Sequence, residues 1–210
     1  MEKYNCRKTD VPLKIDGNVF KPQWDQAEKV YLVETVTGGA PKQKTWSKLL
    51  WDDEYLYVAF HCEDDYINAK YTNYNDPIYD EEVVEIFIDD DSDLKTYIEI
   101  ELSPLNTLLH YAIHNNLKGE ILTFARVNKT IDTAIVDNRE ENWWSAEMAI
   151  PMSELITGPN NPPKPGDEWR INLYRIDRPA DGSDEYSAWK PTGKIQFHMP
   201  AKFGIMKFVE

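Results

Sequence analysis

The chain of 210 residues is poor in several things that would each point to a class of function. Cysteine is nearly absent, with only Cys6 and Cys62. Two cysteines make no disulfide framework, and they are too few for a zinc site without histidines at ligand spacing. Cys62 falls on the apolar side of a strand pattern and reads as a buried thiol; a Cys6–Cys62 bond would need the N-terminal segment to lie beside that strand. Positive charge is in deficit, with 23 Lys and Arg against 37 Asp and Glu and a net charge of −14. That argues against a nucleic-acid backbone or an anionic membrane as partner, because both are met by basic patches. Neutral ligands or cations fit the balance better. No apolar run approaches the ~18 residues that would suggest a membrane span. The opening residues MEKYNCRKTD lack an apolar signal-peptide core. The expected location is therefore cytoplasmic, or extracellular if a leader was removed. The four histidines show no HExxH-like spacing, and His110 and His114 would stand roughly 13 Å apart along a strand. Long helical periodicity, internal repeats and low-complexity tracts are also missing.

What the chain does have is a series of short alternating segments. Hydrophobic residues make up 41% of it and aromatic residues 12%, enough to build a core. Strand patterns fall at residues 28–36, 43–51, 54–63, 83–89, 96–102, 108–114, 134–137, 143–150, 169–176 and 203–209. Turns separate them, as at Asp52-Asp53 and Asp91-Ser92-Asp93. The predicted fold is all-β: one domain over residues 1–210, a β-sandwich of about ten mostly antiparallel strands. Residues 64–79 form a long polar and aromatic loop, and residues 158–166, GPNNPPKPG, a rigid surface loop.

Residues 80–91, DEEVVEIFIDDD, carry the clearest asymmetry. Val84, Ile86 and Ile88 share one face of the strand, while Val83, Glu85, Phe87 and Asp89 share the other. Glu85 between two apolar groups needs a partner, whether an Arg, a metal, a sugar hydroxyl or water. Two neighbouring segments repeat the pattern. Leu56/Val58/Phe60 and Ile98/Ile100/Leu102 are core faces, backed by Tyr55/Tyr57/His61 and Tyr97/Glu99/Glu101. Arg170/Asn172/Tyr174 would add a fourth row. Rings interleaved with carboxylates, an amide and a guanidinium suit a carbohydrate; ordinary cross-strand pairs on a solvated face would look the same. Asp89, Asp91 and Asp93 offer hard oxygens to a calcium ion, or form a plain acidic turn.

Several segments in order then carry a resemblance: Ile15-Asp16-Gly17 with Trp24; LWDDEYLYV at residues 50–58; Asp76-Pro77-Ile78-Tyr79, running through Glu82 into Val84, Glu85 and Asp89; WSAEMAIP at residues 144–151; Asn172; and Pro200-Ala201-Lys202-Phe203-Gly204. Over nearly its whole length the chain resembles the family 9 carbohydrate-binding modules and their stand-alone relatives, best known as appendages of xylanases. The resemblance implies a β-sandwich that holds the end of a β-linked glycan of xylan or cellulose type, or a small sugar, between two rings. Those rings fall here on Tyr79 and Phe197, where Trp is more common in the family. The resemblance also places Glu85 at the hydroxyl-binding glutamate, Asn172 at a polar position, and Tyr174 or Arg175 in the place of a family glutamine. Asn172 and Arg175 would then be the donors, and Trp189 would add a platform near the clamp. No cofactor is required, although the family often carries structural calcium. The role implied is non-catalytic, within carbohydrate catabolism. The alternatives are a glycoside hydrolase using Glu85 and Glu99 as paired carboxyls, and a protein-interaction sandwich that has lost sugar binding.

Overall fold

The computed structural model describes residues 3–210. Among them are fourteen strands. The first seven are β1 (Tyr4–Lys8), β2 (Val30–Tyr31), β3 (Val33–Glu34), β4 (Thr45–Trp51), β5 (Tyr55–Glu63), β6 (Val83–Asp89) and β7 (Thr96–Leu102). The rest are β8 (Leu108–Asn115), β9 (Ile121–Ala125), β10 (Asp132–Asn138), β11 (Trp143–Pro151), β12 (Glu168–Asp177), β13 (Glu185–Ala188) and β14 (Gly204–Val209). The helical turns are short 3-10 pieces, and no helix among the described residues is long and apolar enough to cross a membrane.

The hydrogen-bonded order is β10-β11-β5-β4-β1-β14-β12-β6-β7-β8-β9. Two antiparallel layers meet at β1, which is parallel to both its neighbours. Tyr4 to Arg7 pair with Met206 to Val209, while Arg7 and Lys8 pair with Leu50 and Trp51. The sheet thus curls back on itself as a sandwich. The alternation read from the sequence sets the filling. Leu56, Val58 and Phe60 of β5 and Ala146, Met148 and Ile150 of β11 share one core with Val84, Ile86 and Ile88 of β6. Ile98, Ile100 and Leu102 of β7 complete the opposite wall. Each fully buried aliphatic side chain contributes roughly 1.5–3 kcal/mol.

Three strands go beyond the sequence reading. β1 and β13 sit where plain segments were expected. β9 is an edge strand with exposed residues, so its burial leaves no alternation to read. The strand expected at residues 28–36 is two short pieces divided at Leu32, whose N–H turns to the Thr45 carbonyl. Cys6 and Cys62 are both buried and both free.

Two polar anchors fix the layers. Glu147 of β11 is fully buried and accepts N–H bonds from Asp16 (3.0 Å), Gly17 (2.8 Å) and the Trp24 indole (2.7 Å). That explains the Asp16-Gly17 turn and the 3-10 step Pro22–Gln26 that follows it. Gly17 has φ +82°, and a Cβ there would stand 2.7 Å from the Ile135 backbone. The second anchor is Arg175 of β12. Its guanidinium donates to the Glu63 carbonyl (2.6 Å), Thr45 Oγ1 (3.2 Å), Asp64 (3.2 Å) and Glu82 (3.2 Å). The Trp144 indole donates to the same two carboxyls at 2.9 Å. Arg175 therefore ties β12 in one layer to β4 and β5 in the other.

Candidate functional site

The outer face of β6, β7, β8 and β12 is covered in part by residues 195–203. Phe87, Tyr97, Tyr174 and Phe203 form a small aromatic core beneath that segment. Phe197 lies flat on Tyr174, with centroids 4.1 Å apart at 10°. The Tyr174 hydroxyl donates to the Phe197 carbonyl at 3.1 Å, so ring and backbone are held together. His198 is fixed next to it: its Nδ1 lies 2.9 Å from the Tyr97 hydroxyl, and Asn115 donates to its carbonyl at 3.2 Å.

A cavity of about 430 Å³ opens beside this segment. Tyr79, Tyr111, Tyr186 and Phe197 supply rings to it, Ile121, Ile176 and Ile195 aliphatic surface, and Glu85, Glu99 and Glu101 its carboxyls. Tyr79 sits in the 3-10 turn Ile78–Asp80, which is pinned by buried Ile78 and by Arg178 donating to the Tyr79 carbonyl at 3.2 Å. The residue remains 42% exposed.

Strand register explains the carboxyl cluster. Glu85 is directly opposite Glu101 across β6 and β7, and Glu99 is opposite Phe87. Each of the three offers an oxygen within 4.8 Å of the others, and all three are buried. Like charges facing each other across strands are destabilising. Burial pushes Glu85 and Glu101 well above the usual carboxyl range, and mutual repulsion pushes further; Glu99 rises to about 7, chiefly by burial. Glu85 Oε1 and Glu101 Oε2 are buried with no hydrogen-bond partner. Among the described residues no Lys or Arg lines the cavity to offset them, and burial holds His198 down at about 4.

The residues singled out in the sequence divide on this map. Tyr79, Phe197 and Glu85 come together at the cavity, and Tyr174 lies directly under Phe197. Asn172 is on the same face of β12 but fully buried. Its amide donates to the Lys190 carbonyl (2.9 Å) and its carbonyl oxygen accepts from Lys190 N–H (2.9 Å), and the side chain does not line the cavity. Arg175 lies on the wrong face for the donor role expected of it: alternation along β12 sets it with Trp169, Ile171 and Leu173, inside the sandwich. Trp189 packs edge-on to Tyr4 (6.2 Å, 85°) and close over Gly204, away from the cavity. Tyr55, Tyr57 and His61 point outward from the opposite layer, so they do not extend the Glu85 face. There His61 stacks between Trp46 and Trp143, at 5.2 Å from each, with exposed Phe20 edge-on to all three. Tyr111 and Tyr186 were not singled out in the sequence. The signal for Tyr111 was its parity, on the face of residues 108–114 opposite His110, Ala112 and His114; register then sets it across from Glu99.

Asp89, Asp91 and Asp93 also gather, with oxygens within 4.8 Å of one another. The turn uses some of these oxygens: Asp89 accepts from Leu94 N–H (3.1 Å), and Asp93 from Lys95 (2.6 Å) and Thr96 (2.8 Å). Asp89 Oδ1 remains buried and without a partner. An orphaned hard oxygen with two carboxylates beside it fits a calcium ion.

Comparison with known proteins places these features in context. The family model described as carbohydrate family 9 binding domain-like matches residues 15–210. An "Extracellular protein" of Arthroderma benhamiae is 25% identical over 190 residues, covering 84% of this chain and 83% of its own. Endo-1,4-beta-xylanase A of Thermoanaerobacterium saccharolyticum is 33% identical over 85 residues, which is 40% of this chain but only 7% of that enzyme. A solved protein of Bacteroides uniformis shares the fold at a TM-score of 0.80 and 17% identity, covering 99% of both chains. A family 9 module of Caldicellulosiruptor kristjanssonii, solved in complex with cellotriose, has a TM-score of 0.68 at 19% identity and covers 99% of this chain and 94% of its own.

Proposed function

The chain belongs to the carbohydrate family 9 binding domain-like family, and from that premise we propose that it binds the end of a β-linked glycan, or a small sugar, without catalysing a reaction. One observation carries the reading: a cavity of about 430 Å³ lined both by rings, Tyr79 and Phe197 among them, and by the carboxyls of Glu85, Glu99 and Glu101. Sugar C–H faces stack on rings, and sugar hydroxyls donate to carboxylates. Tyr79 and Phe197 hold the ring, Glu85 accepts from its hydroxyls, and Tyr174 positions Phe197. The supporting solved neighbour is a family 9 module in complex with cellotriose. The relative named as an extracellular protein favours action outside the cell. Asp89, Asp91 and Asp93 would hold a calcium ion that rigidifies the turn between β6 and β7.

The placement of the carboxyls speaks against the hydrolase alternative. Glycosidases flank the scissile bond with two carboxyls, one of them ionised as nucleophile or base. Here all three crowd one wall on adjacent strands, and burial favours the protonated form of each. Calorimetry against glucose and xylo- and cello-oligosaccharides, with calcium present, tests the proposal. Binding of at least one series is expected. Silence across the whole panel would overturn it, as would turnover of an aryl glycoside that Glu85→Gln abolishes.

A further inference from the structure

Resting on the sugar-binding reading, we propose that the cavity selects a sugar bearing a free amine, a protonated amino sugar, over the neutral sugar of the same shape. Donors and acceptors are out of balance on one wall of the cavity. Three carboxyls occupy one wall, two of them with buried oxygens that nothing in the protein satisfies. The other titratable groups facing them are Tyr79, Asp80, Tyr97, Tyr111, Tyr174 and His198. None of these is a cation at neutral pH: His198 is held down at about 4, so its ring is neutral. The fold therefore concentrates carboxyl acceptors on one wall of the cavity, and the rest of its lining, mostly rings and aliphatic groups with Thr123, Gln196 and His198, brings no cation.

A neutral hydroxyl offers one proton to such a wall. An ammonium offers three, together with the missing charge. Charge-assisted hydrogen bonds are roughly twice as strong as neutral ones. A bare divalent metal is the poorer occupant. Calcium takes six to eight oxygens, and the groups around the carboxyls are Phe87, Tyr111, Ile176 and Phe197. Those walls suit the C–H face of a sugar ring better than an ion's oxygen shell. An N-acetylated sugar lacks the charge and gains bulk, so it is expected to behave as a neutral ligand.

Binding the ammonium also makes protonated carboxyls ionise. Each Glu85, Glu99 or Glu101 that loses its proton passes it to the buffer, and the ammonium keeps all of its own. The full chain is titrated at about pH 6.5 with the β-1,4-linked disaccharide of glucosamine, with cellobiose, and with the di-N-acetylated disaccharide. The titration is run in two buffers of different ionisation enthalpy. The amino sugar should bind roughly tenfold more tightly than cellobiose and release protons, and the acetylated sugar should not. Glu101→Gln should bring the ratio of the two affinities towards one; Glu99→Gln serves if that variant does not fold. Equal affinities for amino and neutral sugar overturn the selectivity and leave the sugar-binding reading standing. Silence with every sugar overturns both. Calcium that binds alone, with heat abolished by Glu101→Gln and no preference for the amine, assigns the cluster to a metal and overturns the inference.

Discussion

Replacing Glu99 by Gln should make the protein more stable at pH 8 while changing little at pH 4.5. Glu99 is buried and its carboxyl is raised from 4.5 to about 7, chiefly by desolvation. The folded state therefore holds this proton more tightly than the unfolded chain does. That contribution is fully present below about 4.5 and is lost as pH rises through about 7. A difference of about 2.5 pH units, at about 1.4 kcal/mol per unit, sets a ceiling of about 3 kcal/mol on the loss. Gln keeps the shape and removes the titration. It also removes one charge facing Glu85 and Glu101, both raised in part by Glu99. Urea denaturation at pH 4.5, 6 and 8 should show the wild type losing stability with rising pH, and the variant losing about 2 kcal/mol less. Some slope should remain, because Glu82 (about 9), Asp89 (about 7) and Asp177 (about 6) are raised as well. A variant with the full wild-type fall between pH 4.5 and 8, or one less stable than wild type at pH 8, would refute the reasoning.

Arg175→Met should lower stability by roughly 3–5 kcal/mol in the same denaturation, because it leaves Asp64, Glu82 and Asp177 buried without their cation; an unchanged midpoint would show that the bolt between layers is dispensable. Calcium at 100 times its dissociation constant should add about 2.7 kcal/mol, a rise in melting temperature of roughly 5–10 °C for a chain of this size. Asp89→Ala should abolish that rise, and a rise that survives the substitution would move the ion elsewhere.

Much of the fold was legible because period-2 alternation is a local signal. Val84, Ile86 and Ile88 against Glu85, Phe87 and Asp89 needed no knowledge of the rest of the chain. β1 was not legible, since its five residues gain strand character only from parallel partners far along the chain, β4 and the C-terminal β14. The site was half legible. Tyr79, Glu85 and Phe197 follow from motif order, and they meet at the cavity. Arg175 illustrates a conflict within the sequence itself: motif order offered it as a ligand donor, while the parity that places Arg170, Asn172 and Tyr174 outward sends Arg175 inward. Parity prevailed because a strand cannot turn one side chain without turning its neighbours. Trp189 was judged by its nearness in sequence to the clamp, but its ring is placed by contact with Tyr4 and Gly204, which no local pattern announces.

The most direct test of the central claim is where a sugar lands. Backbone amide shifts recorded during titration with cellotriose should move at Tyr79, Glu85, Glu99 to Glu101, Tyr111 and Phe197, on the outer face of β6, β7 and β8. Shifts confined to the opposite layer, around Phe20, Trp46, His61 and Trp143, would contradict the account.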